Sequence, residues 1–281
     1  MRRRRLRVRN TDAVLVPGAM AATLGLLGLL FGLTNAAEAG WDAPATMIAF
    51  VGGIALLGVF VCIQMRVREP LMPLAMWARP NFAAVMAIAF CMYAAWIGVN
   101  FFLALTLQNV LGYSPTEAAL ALLPLAVCGL IFSTLAGRLL PRTGARRLLV
   151  AGLSIYVVGI VLVALVDGES RYWLHIFGAV TVPVVGNSLT WVASSVTVLS
   201  DAADDEQSLV GGLFNTSLQV GGGLGLAVMS AVAATQIDAG ATGEGLLPGY
   251  QLALWTAAGV ATIALLIALL FVRPTSTPGV T

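Results

Sequence analysis

The chain has 281 residues, of which 59% are hydrophobic and only 10% charged, with a mean hydropathy of +0.93. A soluble domain carries about a quarter of its residues as charged groups, so a soluble enzyme is excluded, and the apolar content excludes a disordered chain. The net charge of +2 comes from 15 basic residues, every one an arginine, against 13 acidic ones; a polytopic membrane protein remains, and the placement of those few charges tests it.

Six arginines (Arg2, Arg3, Arg4, Arg5, Arg7, Arg9) crowd the start of the chain. Apolar sequence follows at once, so the run reads as a cytoplasmic membrane flank and not as an arm for nucleic acid. A bilayer core of about 30 Å needs about 20 apolar residues per spanning helix. Eight such stretches follow, approximately Ala13–Asn35, Ala45–Met65, Phe82–Leu107, Thr116–Ala136, Leu148–Val166, Trp173–Leu199, Leu209–Thr235 and Gln251–Val272. Ala37-Glu38-Ala39 has the shape of a signal cleavage site, but the first apolar run is longer than a signal peptide's. The runs are also too long and too uniformly apolar for outer-membrane strands.

With the N-terminus inside, the inside loops hold the six leading arginines, then Arg66, Arg68 and Arg79, then Arg138, Arg142, Arg146 and Arg147, and finally Arg273. Fourteen of the fifteen arginines are inside and only Arg171 is outside. The positive-inside rule therefore predicts a multi-pass protein with both termini cytoplasmic. The link Arg66–Asn81 carries Pro70, Pro73 and Pro80. It separates a basic tail and two-helix hairpin (residues 1–80) from a six-helix bundle (residues 81–281). The predicted fold class is all-α.

A carboxylate inside the membrane is costly and therefore functional by default. All 13 acids fall in loops or at span ends. Glu117 comes closest, in the first turn of the fourth span, where helix capping accounts for it. His175 lies near a span end and reads as a polar anchor. Neutral polar residues inside spans are the remaining candidates: Trp96 and Asn100 in the third, Asn187 and Trp191 in the sixth, Asn215 and Gln219 in the seventh. Residues four apart share a helix face. Aromatic faces with a few amides suit a lipophilic ligand, while hydrogen bonding between helices is the structural alternative.

Cys62, Cys91 and Cys128 are scattered and have no neighbouring ligands, so no metal site is expected. Gly28 with Gly32, and Gly221 with Gly225, are small-xxx-small pairs that let helices approach closely. The run Gly221-Gly222-Gly223-Leu224-Gly225 follows no strand and precedes no Lys-Ser/Thr, so it is not a phosphate loop. The acidic run from Asp201 to Glu206 lacks the second acidic cluster that a metal-dependent membrane prenyltransferase would need, and no enzyme activity is expected.

Several segments look familiar. Asp12-Ala13-Val14-Leu15-Val16-Pro17-Gly18-Ala19 resembles the start of the central helix pair in fourteen-helix drug:proton antiporters of the major facilitator superfamily (EmrB/QacA type). Gly40-Trp41-Asp42-Ala43-Pro44 fits the tip of that pair, and Arg68-Glu69-Pro70-Leu71-Met72-Pro73-Leu74 resembles the link into the family's C-terminal half. The most specific match is Leu111-Gly112-Tyr113-Ser114-Pro115-Thr116-Glu117-Ala118-Ala119 with Leu122-Leu123-Pro124. The stretch from Ala136 through Gly137, Arg138, Arg142 and Gly144 to Arg146 and Arg147 resembles the second copy of the superfamily's inside-loop motif, with Pro141 where the pattern often has Asp. The segment from Phe214 to Ala227 resembles the penultimate helix.

The resemblance covers the central pair and the last six helices, so it implies half of a major facilitator fold plus a linker hairpin. It implies export of hydrophobic or amphipathic small molecules across the cell membrane. The lipid bilayer and a separate N-terminal six-helix half would be the partners. No bound cofactor is implied; the proton gradient supplies energy once the full transporter is assembled. A truncated or half transporter, inactive alone, is the alternative.

Overall fold

The computed structural model describes residues 2–40, 42–66, 74–166, 177–200, 202–203, 206–238 and 240–273. Arg171, His175, Asp201, Trp41 and the stretch of the link from Arg68 to Pro73 lie outside the described residues. Eight helices among those described are long and apolar enough to cross a membrane. They are α1 (Arg2–Ala39), α2 (Pro44–Arg66), α3 (Pro80–Leu105), α4 (Pro115–Thr143), α5 (Ala145–Ala164), α6 (Phe177–Ser200), α7 (Gln207–Ala234) and α8 (Leu247–Phe271). No strand occurs among the described residues. The chain divides into two compact units, Met1–Arg79 and Pro80–Thr281.

In the first unit α1 and α2 form a hairpin. A Cβ on Gly53 would lie 2.8 Å from Gly25 O and 2.9 Å from Leu29 N, and one on Gly28 would lie 3.0 Å from Ala49 O. Only glycine permits this approach. At the tip, Asn35 Nδ2 donates to Thr46 Oγ1 at 2.8 Å, and Thr46 Oγ1 donates to Gly40 O at 3.1 Å. The arginine run expected as a tail is the start of α1. Arginine is a good helix former, and the helix runs on through Pro17 to Ala39.

In the second unit α3 packs against α7, α8 and α6, while α5 packs along α6 and against α8. Lipid tails supply no hydrophobic force between helices, so close packing of small residues must hold them. One seam joins α3 to α7. A Cβ on Gly225 would lie 2.6 Å from Ala94 Cα, and one on Gly221 would lie 2.9 Å from Phe90 Cα. A second joins α5 to α6, where a Cβ on Gly152 would meet Thr190 N at 2.8 Å and one on Gly186 would meet Tyr156 Cα at 2.5 Å. Tyr156 is fully buried, and its hydroxyl donates to Met92 O on α3 at 3.2 Å. A third seam lies along α8, where Ala253, Ala257, Ala261, Ala264 and Ala268 are fully buried. The opposite face of α8 exposes Trp255, Ile263, Leu266 and Leu270, large side chains suited to lipid. By contrast, α4 packs chiefly on α6 and leaves Leu120, Leu123, Val127, Leu130, Ile131 and Leu135 exposed.

Helix ends follow local chemistry. Ser114 and Glu117 form a capping box at the start of α4: Ser114 N donates to Glu117 Oε2 at 2.8 Å, and Glu117 N donates to Ser114 Oγ at 3.3 Å. This is the capping role expected of Glu117. At the other end α4 runs on to Thr143, and the turn into α5 is Gly144 alone, at φ +80°. The expected inside loop is therefore mostly helix, because its Arg and Leu residues continue α4 and glycine alone makes the reversal cheaply. Arg146, at the start of α5, donates from Nε to Val272 O at 2.7 Å and from Nη2 to Leu269 O at 3.1 Å. A cation on the last carbonyls of α8 satisfies orphan acceptors and complements the helix dipole.

Two predictions follow from this packing. Gly225→Ala is expected to cost about 1–3 kcal/mol through overpacking and to lower the unfolding temperature of the solubilised protein. Gly211→Ala, with open space at its Cβ, is expected to be neutral or slightly stabilising; equal shifts in the two would count against the seam. Arg146→Gln is expected to speed amide exchange in the last turn of α8 by about three- to tenfold, and the exposed Arg147, changed to Gln, serves as the control that leaves this turn unchanged.

Candidate functional site

Between α3, α4 and α6 lies a cavity of about 200 Å³. Its apolar walls come from Leu103 on α3, Leu122 and Leu125 on α4, and Val180, Pro183 and Val184 on α6. Its polar groups are Trp96 and Asn100 on α3 and Asn187 and Ser188 on α6. No lining residue is charged. Gly129 on α4 also lines it; a Cβ there would sit 3.7 Å from Val184 Cγ1 and 4.0 Å from Ser188 Oγ, at ordinary contact distance.

The polar groups differ in how far they are satisfied. Asn100 Nδ2 donates to Trp96 O at 2.8 Å on its own helix. Ser188 Oγ donates to Val184 O at 2.8 Å and approaches Gly129 O at 3.4 Å, the latter a contact to α4. Asn187 Oδ1 is buried and meets no donor among the described residues. A buried acceptor left unmatched costs about 1–3 kcal/mol, and this one is enclosed and does not open onto the cavity space.

Of the six candidate residues, the structure brings Trp96, Asn100 and Asn187 together around the cavity. Trp191 does not line it. One turn further along α6, the Trp191 ring packs 6.2 Å from Tyr93 of α3 and 6.1 Å from Phe214 of α7. These three rings sit one turn from the cavity, toward the end of the bundle that carries Gly144. Asn215 and Gln219 are exposed on α7, which does not contribute to the lining, and Asn215 Nδ2 donates to Gly211 O at 2.9 Å on its own helix. Sequence reasoning missed the α4 wall. Its residues are small or aliphatic, and the one available signal was Gly129 at mid-span.

The arginine motif separates by role. Gly137, Arg138 and Arg142 are exposed on the last turns of α4, Gly144 is the turn, Arg146 caps α8 and Arg147 is exposed. Among the described residues no group of His, Cys, Asp and Glu could hold a metal ion.

Comparison with known proteins places this architecture. The family model described as Major Facilitator Superfamily matches residues 13–226 and 85–281. The cephamycin export protein CmcT of Amycolatopsis lactamdurans is 33% identical over 77% of this chain and 45% of its own length. The puromycin resistance protein pur8 of Streptomyces alboniger is 29% identical over 90% of this chain and 52% of its own. The lincomycin resistance protein LmrB of Listeria monocytogenes is 30% identical over 84% of this chain and 50% of its own. The chain thus spans about half the length of the curated relatives it matches. The solved structure of the nucleoside transporter NupG shares the fold, with a TM-score of 0.55 at 14% identity over 88% of this chain and 66% of that one. With eight apolar helices and a matching family model over most of its length, this chain is a multi-pass membrane protein that belongs to the Major Facilitator Superfamily.

Proposed function

We propose that the chain supplies one substrate-binding half of an exporter that moves hydrophobic or amphipathic small molecules across the cell membrane, driven by the proton gradient. The observation that carries this reading is the apolar cavity with one indole and two amides between α3, α4 and α6. Relatives named for cephamycin export, puromycin resistance and lincomycin resistance support drug-like cargo. The sorting of arginines supports cytoplasmic termini. In that orientation the Gly144 turn faces the cytoplasm, and the rings of Tyr93, Trp191 and Phe214 stand between it and the cavity.

Transport by alternating access needs two halves that rock around a midplane site. The exposed apolar face of α4 supports a second six-helix half opposite it, on the same or a separate polypeptide. Among the described residues of the six-helix unit, no carboxylate lies in the middle of a span, and Glu117 is committed to its capping box. In this reading the proton-carrying acid belongs to the second half, and the eight-helix chain alone does not transport.

The test uses cells stripped of their own drug exporters. The chain expressed with a six-helix half is expected to raise puromycin or lincomycin resistance, and the chain alone is not. An uncoupler is expected to remove the effect. Gly129→Leu, which directs a side chain into the cavity, is expected to lower efflux about tenfold or more through lost binding volume. Unchanged efflux in Gly129→Leu would sink the cavity as the binding site, and resistance conferred by the chain alone would sink the need for a second half.

A further inference from the structure

We infer that the cavity takes a neutral ring bearing a carbonyl group, and that Asn187 Nδ2 is the donor that selects for the carbonyl oxygen. This rests on the cavity being a binding site, as proposed above. Asn187 lines the cavity from α6 and is partly exposed. The two ends of its amide differ. Oδ1 is enclosed by protein. Nδ2 is not enclosed, and among the described residues no hydrogen bond occupies it. The end of the amide that a ligand can meet is therefore the amino group, which offers two N–H donors and no acceptor.

The other polar groups of the lining narrow the choice. Asn100 Nδ2 and the Ser188 hydroxyl already donate to Trp96 O and Val184 O, so a ligand acceptor would have to break a bond within a helix to use them. Trp96 Nε1 is neither enclosed nor occupied, which makes it the second free donor of the lining and the natural control for Asn187. Asn100 Oδ1 meets no donor either, so a ligand N–H is tolerated but not required. A carbonyl dissolved in hydrocarbon has no donor to bond. Moving from lipid to Asn187 Nδ2, it gains a hydrogen bond that a ligand of the same shape without the oxygen does not.

Charge and size set the remaining limits. The lining holds no base, so a carboxylate would lose its hydration here without finding a counter-charge. A neutral carbonyl enters without that cost. A cavity of about 150 Å³ lined by aliphatic and aromatic side chains accepts benzene, so one of about 200 Å³ accepts a single ring with one small substituent. A larger cargo would place one such ring here and the remainder outside.

Fluorine NMR on the full chain in lipid nanodiscs tests this at neutral pH, with each probe's binding referred to its concentration in the lipid of empty nanodiscs. The probes are para-fluoroacetophenone, para-fluoro-α-methylstyrene, which has CH₂ in place of the carbonyl oxygen, and the anionic para-fluorobenzoate. The ketone is expected to bind about three- to tenfold more tightly than the styrene, and the benzoate more weakly than the ketone. Asn187→Leu is expected to erase the ketone's advantage while retaining the styrene, and Trp96→Phe to keep that advantage. On the unaltered chain, the C=O stretching frequency of the bound ketone is expected to fall below its value in empty nanodiscs. Equal binding of ketone and styrene overturns the inference, as does an unshifted C=O stretch or a benzoate that binds as tightly as the ketone. An advantage that survives Asn187→Leu, or is lost in Trp96→Phe, overturns the role of Asn187. If ketone and styrene bind equally and Gly129→Leu excludes both, the cavity reading stands and this inference alone falls; if neither binds, the cavity reading falls with it.

Discussion

Everything in the six-helix unit depends on how helices are held together where the solvent is hydrocarbon. A leucine gains nothing by leaving lipid for a helix interface, so attraction has to come from contact at short range. The chain meets this constraint with glycine and alanine. Along α3–α7 and α5–α6 the glycines sit where a single methyl group would overlap neighbouring backbone, and α8 turns its alanines inward and its Trp, Ile and Leu residues outward. On α8 this inverts the soluble rule that large apolar residues face inward, whereas elsewhere in the unit Phe82, Ile88, Leu153 and Ile160 are fully buried. The pattern also explains why α3, packed by small residues on several sides, is so fully enclosed.

The same constraint decides where the cavity can be. Seams of small residues close the α3–α7 and α5–α6 contacts down to backbone distance, leaving no room for a ligand there. Helix α4 has no comparable seam; its one mid-span glycine near α6, Gly129, stands at ordinary contact distance from Val184. Where α4 meets α3 and α6 the packing is therefore looser, and the space is lined by side chains long enough to bound it but not to fill it. The indole and amides find themselves in this space because the tight seams fix the rotation of α3 and α6. Gly221 and Gly225 commit Ala94 and Phe90 to α7, which turns Trp96 and Asn100 to the other side of α3.

That dependence explains which parts were legible in the sequence. Span positions follow from apolar length, and the capping box from Ser114 and Glu117 at their spacing. The Gly221 and Gly225 pair could be read as a contact without knowing its partner. The site needed more. Amides and tryptophans could be named on α3, α6 and α7 with equal justification, since a polar residue in a span looks the same whether it faces a cavity, another helix or the outside. Only the rotation of each helix separates Asn187, on the cavity, from Asn215, exposed on α7. Periodicity alone cannot supply that rotation, because a span that is apolar all round has no preferred face. The α4 wall was invisible for the same reason: Leu122, Leu125 and Ala126 carry no mark that distinguishes them from lipid-facing neighbours.

The charges divide the labour along the bundle's length. The described six-helix spans are neutral at mid-depth, and their arginines collect at the end that carries the Gly144 turn. Arg146 does more there than set orientation, because it joins the α4–α5 turn to the last carbonyls of α8. Its hydrogen bonds are charge-assisted and directed at acceptors that no residue within α8 can satisfy. Moving the α4–α5 turn relative to α8 would have to break them, whereas the neutral cavity offers no charge to resist or drive such a motion. The cavity is lined by one indole, two amides and a hydroxyl between apolar walls. Its lining has no titratable group, so in the proposed exporter ligand binding here and proton coupling would rest on different residues.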